Sequence, residues 1–217
     1  MDSKIKVAVL VEGHPYDVVS FQKMFWTFYD CDCYVQPLDL FCQDEQNREW
    51  YDVVLYYNLN LKKLEENSPL YKYFTERLGA TNQGIVLLHH GILSFPKWDV
   101  WTEVSGVKVR CEDGVFSYHQ NERVQTRVAD KHHPITQGVD DFEVVDETYI
   151  IGEPQEPGNH VLLTTNNANS IKTIGWARTY KNSRVFVYAS GHDHMTYDHA
   201  SFRQLVHNSL RFCAHKS

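Results

Sequence analysis

No five-residue basic run occurs in this chain of 217 residues, and 21 Lys plus Arg stand against 28 Asp plus Glu, a formal charge of −7. With neither a cationic field nor a local basic patch to meet phosphates, nucleic acid is not an expected partner. No apolar stretch approaches the roughly 20 residues that span a bilayer, so no membrane partner is expected. The first apolar run, 7–11, is too short for a signal-peptide core, and the expected location is cytoplasmic. Cysteine is sparse and odd in number: Cys31, Cys33, Cys42, Cys111 and Cys213 form no Cys-x-x-Cys pair and no zinc-knuckle spacing. They read as reduced thiols, with Cys31-Asp32-Cys33 marking the entry to a strand. Gly-x-Gly-x-x-Gly and Gly-x-x-x-x-Gly-Lys are both missing, so no nucleotide cofactor is expected. Neither an internal repeat nor a low-complexity tract is found.

What is present is a chain with 42% hydrophobic residues, long enough to bury a core without disulfide staples. Residues 4–11 form a continuous apolar run suited to a strand buried on both faces, and 16–29 carry Val18, Phe21, Phe25 and Phe28 at near-helical spacing. Strands at 33–38, 51–57 and 84–89 and a helix at 70–78 closed by Gly79 continue the alternation. Repeated β-then-α units predict a mostly parallel, doubly wound sheet with helices on both faces. From Ser94 to about Gly158 the rhythm breaks into glycine- and proline-rich sequence with β-prone pieces at 124–129 and 142–149. This reads as an irregular excursion at 94–158 within one domain spanning 1–217. Strands return at 161–165, 171–180 and 184–189, and 201–214 forms a helix with Phe202, Leu205, Val206, Ser209, Leu210 and Cys213 on one face.

In open α/β sheets ligands bind beyond the carboxyl ends of the strands. Three predicted strands end there in histidine-bearing turns: Val11-Glu12-Gly13-His14, His89-His90-Gly91 and Gly191-His192-Asp193-His194. His132-His133-Pro134 reads as a structural turn, His160 carries no signal, and His199, His207 and His215 read as surface residues on or near the last helix. Converging imidazoles with a carboxylate nearby can hold a divalent metal or work as general acids and bases, and sequence leaves both open. The metal would be zinc, manganese or nickel, with His14, His89 and His192 as candidate ligands. Glu103, Asp146, Glu147 and Asp193 are the candidate carboxylates. Arg178 and Trp176 are candidates to clamp and stack a sugar, with core packing as the alternative for Trp176. The turn after 84–88 has no serine or cysteine at its tip, which argues against covalent catalysis from a nucleophile elbow. No pair of carboxylates at glycosidase-like placement stands out either.

The ordered set Val11-Glu12-Gly13-His14-Pro15-Tyr16-Asp17, Gly84-Ile85-Val86-Leu87-Leu88-His89-His90-Gly91 with Ser94-Phe95-Pro96-Lys97-Trp98, His133-Pro134-Ile135-Thr136-Gln137-Gly138 through Asp146-Glu147-Thr148-Tyr149, Ile174-Gly175-Trp176-Ala177-Arg178, and Gly191-His192-Asp193 resembles the trehalose-utilisation, or ThuA-like, family over nearly the whole chain. The resemblance implies a flavodoxin-like three-layer αβα sandwich similar to class I glutamine amidotransferases. In it His89 stands where the amidotransferases carry their cysteine, and His192 where they carry their histidine. Glutamine hydrolysis is therefore not expected. The resemblance also implies a small carbohydrate ligand, a trehalose-type or 3-keto sugar. A base would remove the acidic hydrogen beside the ketone to give an enediolate, leading to isomerisation or glycoside cleavage. The expected catalytic residues are His89, His192, Asp193 and Glu103, with Glu103 or Asp193 as base. His119, Tyr149, Trp176 and Arg178 are expected at the sugar. The alternative is a sugar-binding or regulatory module without turnover. Exposed aromatics in the excursion make a homo-oligomer a further expectation.

Overall fold

The computed structural model describes residues 3–62, 64–110, 116–154 and 158–216; Cys111 lies outside them. The described strands are β1 (Ile5–Glu12), β2 (Cys31–Pro37), β3 (Val53–Asn58), β4 (Gly84–Leu88), β5 (Ser117–Val128), β6 (Phe142–Ile150), β7 (His160–Thr164), β8 (Thr173–Tyr180) and β9 (Ser183–Tyr188). The described α-helices are α1 (Val18–Trp26), α2 (Leu38–Gln43), α3 (Pro69–Lys72), α4 (Asp99–Ser105), α5 (His194–Tyr197) and α6 (Ala200–Cys213). One sheet runs in the order β2-β1-β3-β4-β9-β8-β7-β5-β6. The pairings from β2 to β9 are parallel and those from β9 to β6 antiparallel.

The sheet is thus more mixed than the alternating pattern predicts. The reason is local: Tyr180 pairs with Ser183, and a connection of two residues joins only antiparallel strands. Whereas edge strand β2 keeps Asp32 and Gln36, the central parallel strands β3 and β4 are buried at every position because helices cover both their faces. Adjacent Tyr56 and Tyr57 on β3 demonstrate this, since successive side chains point to opposite faces. Tyr56 packs edge-on to Trp101 of α4 and near Phe74, which follows α3, whereas Tyr57 stacks on Phe21 of α1. Phe21 in turn meets Tyr197 of α5, and Tyr197 meets Phe202 of α6. These contacts define the three layers.

Local chemistry sets the helix ends. The Asp17 side chain accepts from Ser20 N at 3.1 Å and starts α1. The helix expected at 70–78 is shorter: α3 gives way to a wide π-type turn over Tyr73–Arg77, in which Leu78 N bonds Tyr73 O at 2.9 Å, before Gly79 at φ +74°. On α6 the buried residues are the six of the predicted stripe. Its approach is close enough that a Cβ on Gly84 would lie 2.6 Å from the Cβ of Cys213.

The 94–158 segment is more regular than expected. It holds α4 and an antiparallel hairpin of β5 and β6, broken by a register shift between His119 and Glu122. Although β6 is last in the sheet order, Val145 O accepts from Thr196 Oγ1 of α5 at 3.1 Å, so the hairpin curls back over the carboxyl ends of the central strands. Large exposed aromatics gather mainly beside edge strand β2, at Trp26, Tyr29, Tyr34 and Trp50, with Tyr118 in the excursion. Two histidines expected at the surface are engaged: His199 caps α6 and stacks on Phe142, and His207 stacks on Phe28 and pairs with Asp30. His133 has the expected turn role, its Nδ1 accepting from Ile135 N at 3.2 Å. No helix among the described residues is long and apolar enough to cross a membrane.

Candidate active site

The chain leaves β4 through a turn in which Gly91 is pressed against β3; a Cβ there would lie 2.2 Å from Tyr56 O. His89, the first residue of the turn, is fully buried and held at φ +50°, a left-handed conformation that costs a non-glycine residue about 1–2 kcal/mol. It is the strained strand-to-turn position at which a nucleophile elbow would present its nucleophile, here filled by an imidazole. Its Nδ1 lies 3.1 Å from the carbonyl of Ala189, at the end of neighbouring β9. A carbonyl only accepts, so Nδ1 carries the proton, and Nε2 is turned toward the site.

His192 arrives from the loop after β9, and its Nδ1 is 3.3 Å from His89 Nε2. The loop is held by the buried carboxylate of Asp146, which accepts from Gly191 N at 2.8 Å, His192 N and Glu147 N at 2.9 Å, and the Ser190 hydroxyl. From the other side Tyr57 donates to Gly191 O and Tyr197 to His192 O, each at 2.8 Å.

Glu147 and Tyr149 complete the cluster. Two apart on β6, they share one face of the strand, and the hairpin turns that face onto the rim. Glu147 Oε1 lies 3.5 Å from His89 Nε2 and 3.7 Å from His192 Nδ1, while Oε2 accepts from Gln120 Nε2 at 3.2 Å. The Tyr149 hydroxyl donates to Glu147 Oε1 at 2.9 Å and lies 2.7 Å from His89 Nε2. Burial alone would raise the Glu147 pKa, but the His89 and His192 imidazoles facing it and the Tyr149 hydroxyl outweigh burial and hold the carboxyl at about 2. Burial, reinforced by Glu147, pushes the Tyr149 phenol well above 10, so it remains a neutral donor. Behind this group the His90 imidazole is driven well below 6.5 by burial, and its Nε2 bonds Tyr57 O at 2.8 Å.

Of the residues expected at the site, His89, His192, Tyr149 and the candidate carboxylate Glu147 meet. His14 stands one layer back, its ring 4.7 Å from that of His90 and its buried Nδ1 without a hydrogen-bond partner. Burial lowers its pKa, and the charges of Glu147, His89 and His192 all reach it. His119 lies on β5 opposite Thr148, beside Gln120. Asp193 belongs to a helix end, where its carboxylate accepts from Met195 N at 2.8 Å as the cap of α5. Trp176 is core: fully buried, it donates from Nε1 to Ser105 O at 2.8 Å. Glu103 and Arg178 line a different cleft of about 570 Å³ together with Lys97, Lys108 and Lys181. Register explains the separation. Gly175 sits opposite Tyr188, which pairs with Leu88, whereas Arg178 sits opposite Val185, three residues back from the rim and roughly 10 Å away.

Sequence reasoning missed Gln120, Tyr57 and Tyr197. Gln120 sits at the bulge of a strand whose register no pattern reveals. The tyrosines are core aromatics by area, and only their hydroxyls serve the site.

Comparison with known proteins agrees with this architecture. A ThuA-like protein of Parabacteroides merdae shares 17% identity at a TM-score of 0.73, covering 97% of this chain and 90% of its own. A ThuA-like protein of Bacteroides uniformis shares 18% at a TM-score of 0.66, with coverage of 96% and 91%. A cytoplasmic protein of Salmonella typhimurium shares 14% at a TM-score of 0.67, with coverage of 96% and 99%. At such identities the likeness is one of fold. Among curated proteins none is similar in sequence to this chain. The sequence profile of ThuA, described as trehalose utilisation, matches residues 41–213 and so spans β3 to α6 with every residue of the His89–Glu147–His192 cluster; the chain belongs to the ThuA family.

Proposed function

We propose that this protein transforms an oxidised, trehalose-type sugar by acid–base chemistry at His89, His192 and Glu147. The observation that carries the reading is the meeting of two imidazole nitrogens and a carboxylate oxygen within 3.7 Å of one another at the carboxyl rim of the sheet. Membership of a trehalose-utilisation family supports the substrate class.

The roles follow from the environments. Glu147, held at about 2, is a weak base and a permanent anion; it orients the imidazoles and stabilises the imidazolium formed when one of them takes a proton. His192 reaches solvent, with 27% of its side chain exposed, and is the group best placed to exchange protons with a bound sugar. In a sugar carrying a ketone at C3, His192 removes the hydrogen on C2, and the electron pair forms an enediolate. That pair then moves to make the C1–C2 double bond and expel the C1 substituent, whose oxygen takes a proton as the C3 ketone is restored. Reprotonation of the enediolate would instead give an isomer. Tyr149 is the neutral donor available to the developing oxyanion.

The test is product analysis after incubation with trehalose and with its 3-keto form. Turnover of the keto sugar alone, lowered at least about 100-fold in His192→Ala, is the expected result. Saturable binding of either sugar in calorimetry without any product would replace the enzyme with a sugar-binding module, and equal turnover in wild type and variant would remove the assigned roles.

A further inference from the structure

We infer that His89 Nε2, His192 Nδ1 and Glu147 Oε1 form a site for one divalent transition-metal ion of the zinc class. The inference rests on the sugar-directed reading of the same cluster and changes the roles within it: in the loaded protein both imidazoles serve as ligands rather than as base, and the ion's Lewis acidity takes over from them. Three donors facing one tetrahedral ion at zinc bond lengths of about 2.0–2.2 Å stand roughly 3.3–3.6 Å apart. The three separations here are 3.3, 3.5 and 3.7 Å. The ligand-capable atoms of these residues group together, and His14 is not among them, so Glu147 takes the place that the spacing of strand ends gave to His14.

The surroundings have the form that metal ligands need. A ligating histidine donates its other ring N–H to a fixed acceptor, which sets the tautomer. His89 Nδ1 does so to Ala189 O at 3.1 Å and leaves Nε2 as the lone-pair atom. The carboxylate is oriented through its second oxygen, held by Gln120 Nε2 at 3.2 Å. The backbone of His192 is pinned by Asp146. Two imidazoles and one carboxylate suit zinc better than magnesium or calcium, which prefer all-oxygen shells. Three protein ligands would leave a tetrahedral ion one position for a sugar oxygen. There an ion would polarise the ketone and stabilise the enediolate.

Asp30, Cys31 and His207 also bring ligand-capable atoms together. In that group, however, both oxygens of Asp30 are already engaged, Oδ1 by His207 and the Cys31 thiol and Oδ2 by the Arg211 guanidinium. The second cluster therefore serves as the control.

The experiment strips the purified chain with a chelator and titrates it with zinc chloride by calorimetry, with elemental analysis of the loaded protein. About one zinc per chain is expected, lost in His192→Ala and in Glu147→Gln, about tenfold weaker in Gln120→Ala and unchanged in His207→Ala. X-ray absorption of zinc-loaded wild type, which needs no variant to fold, is expected to show nitrogen and oxygen neighbours only. Absence of stoichiometric zinc overturns the site, and so does a sulfur neighbour or zinc that persists in His192→Ala and disappears in His207→Ala. Turnover of the keto sugar by zinc-free wild type would remove the metal and leave the acid–base reading standing. Zinc at the expected residues with no turnover would do the reverse.

Discussion

The backbone N–H of His192 rests 2.9 Å from a carboxylate oxygen of Asp146, linking the loop after β9 to the hairpin strand β6 across 46 residues of sequence. The same carboxylate accepts from Gly191 N, Glu147 N and the Ser190 hydroxyl, so one buried side chain sets the positions of two members of the cluster. Asp146→Ala leaves these donors buried and unmatched and is expected to cost about 3 kcal/mol in urea unfolding. With His192 released, turnover is expected to fall about 100-fold even where the variant is folded, because misplacement of a reacting group by about 1 Å has that effect. Asp146→Asn, which keeps an acceptor, should lie between the variant and wild type on both measures.

Strain at His89 gives a prediction with an unusual ordering. At φ +50° glycine is the residue without penalty, whereas alanine keeps the clash and loses the imidazole. His89→Gly is therefore expected to be more stable than His89→Ala by about 1 kcal/mol, with both inactive. Equal stabilities in urea denaturation would mean that the turn relaxes freely and that the imidazole is not held under load.

Most of the fold can be read from short-range pattern. The runs at 4–11, 51–57 and 84–89 read as strands, and β1, β3 and β4 form there. Two of the site's anchors, His89 and His192, were legible because strand ends on a parallel sheet converge on one rim. Glu147 and Tyr149 were visible as residue types but not as partners, since their place depends on a hairpin that curls over the rim, and a period-two pattern says nothing of a strand's path. Asp193 looked catalytic beside two histidines, yet an aspartate just before a helical turn is as readily its cap. Arg178 was misplaced because sequence does not say how far along β8 the rim lies, and Glu103, on α4, lines the same separate cleft.

A pH effect is expected from His133. Its Nδ1 caps the turn at Pro134–Thr136 and needs its lone pair to accept from Ile135 N. Burial, and then the neighbouring His160, lower its pKa below 6.5. The folded state accordingly binds fewer protons than the unfolded chain just below pH 6.5. Its contribution to stability is complete above that pH and declines as pH falls toward the folded pKa. His133→Asn, which caps without titrating, should show a smaller difference between urea midpoints at pH 7.5 and 5.5 than wild type. An unchanged difference would remove His133 as a source of the slope.

Proton abstraction beside a ketone leaves an isotopic record that no binding event imitates. A 3-keto disaccharide incubated with the protein in deuterium oxide and followed by NMR is expected to acquire deuterium at the carbon next to the ketone in recovered substrate or isomer. The rate should fall at least about 100-fold in His192→Ala. Product that keeps the original hydrogen at that carbon, or exchange equally fast in the variant, would contradict the account.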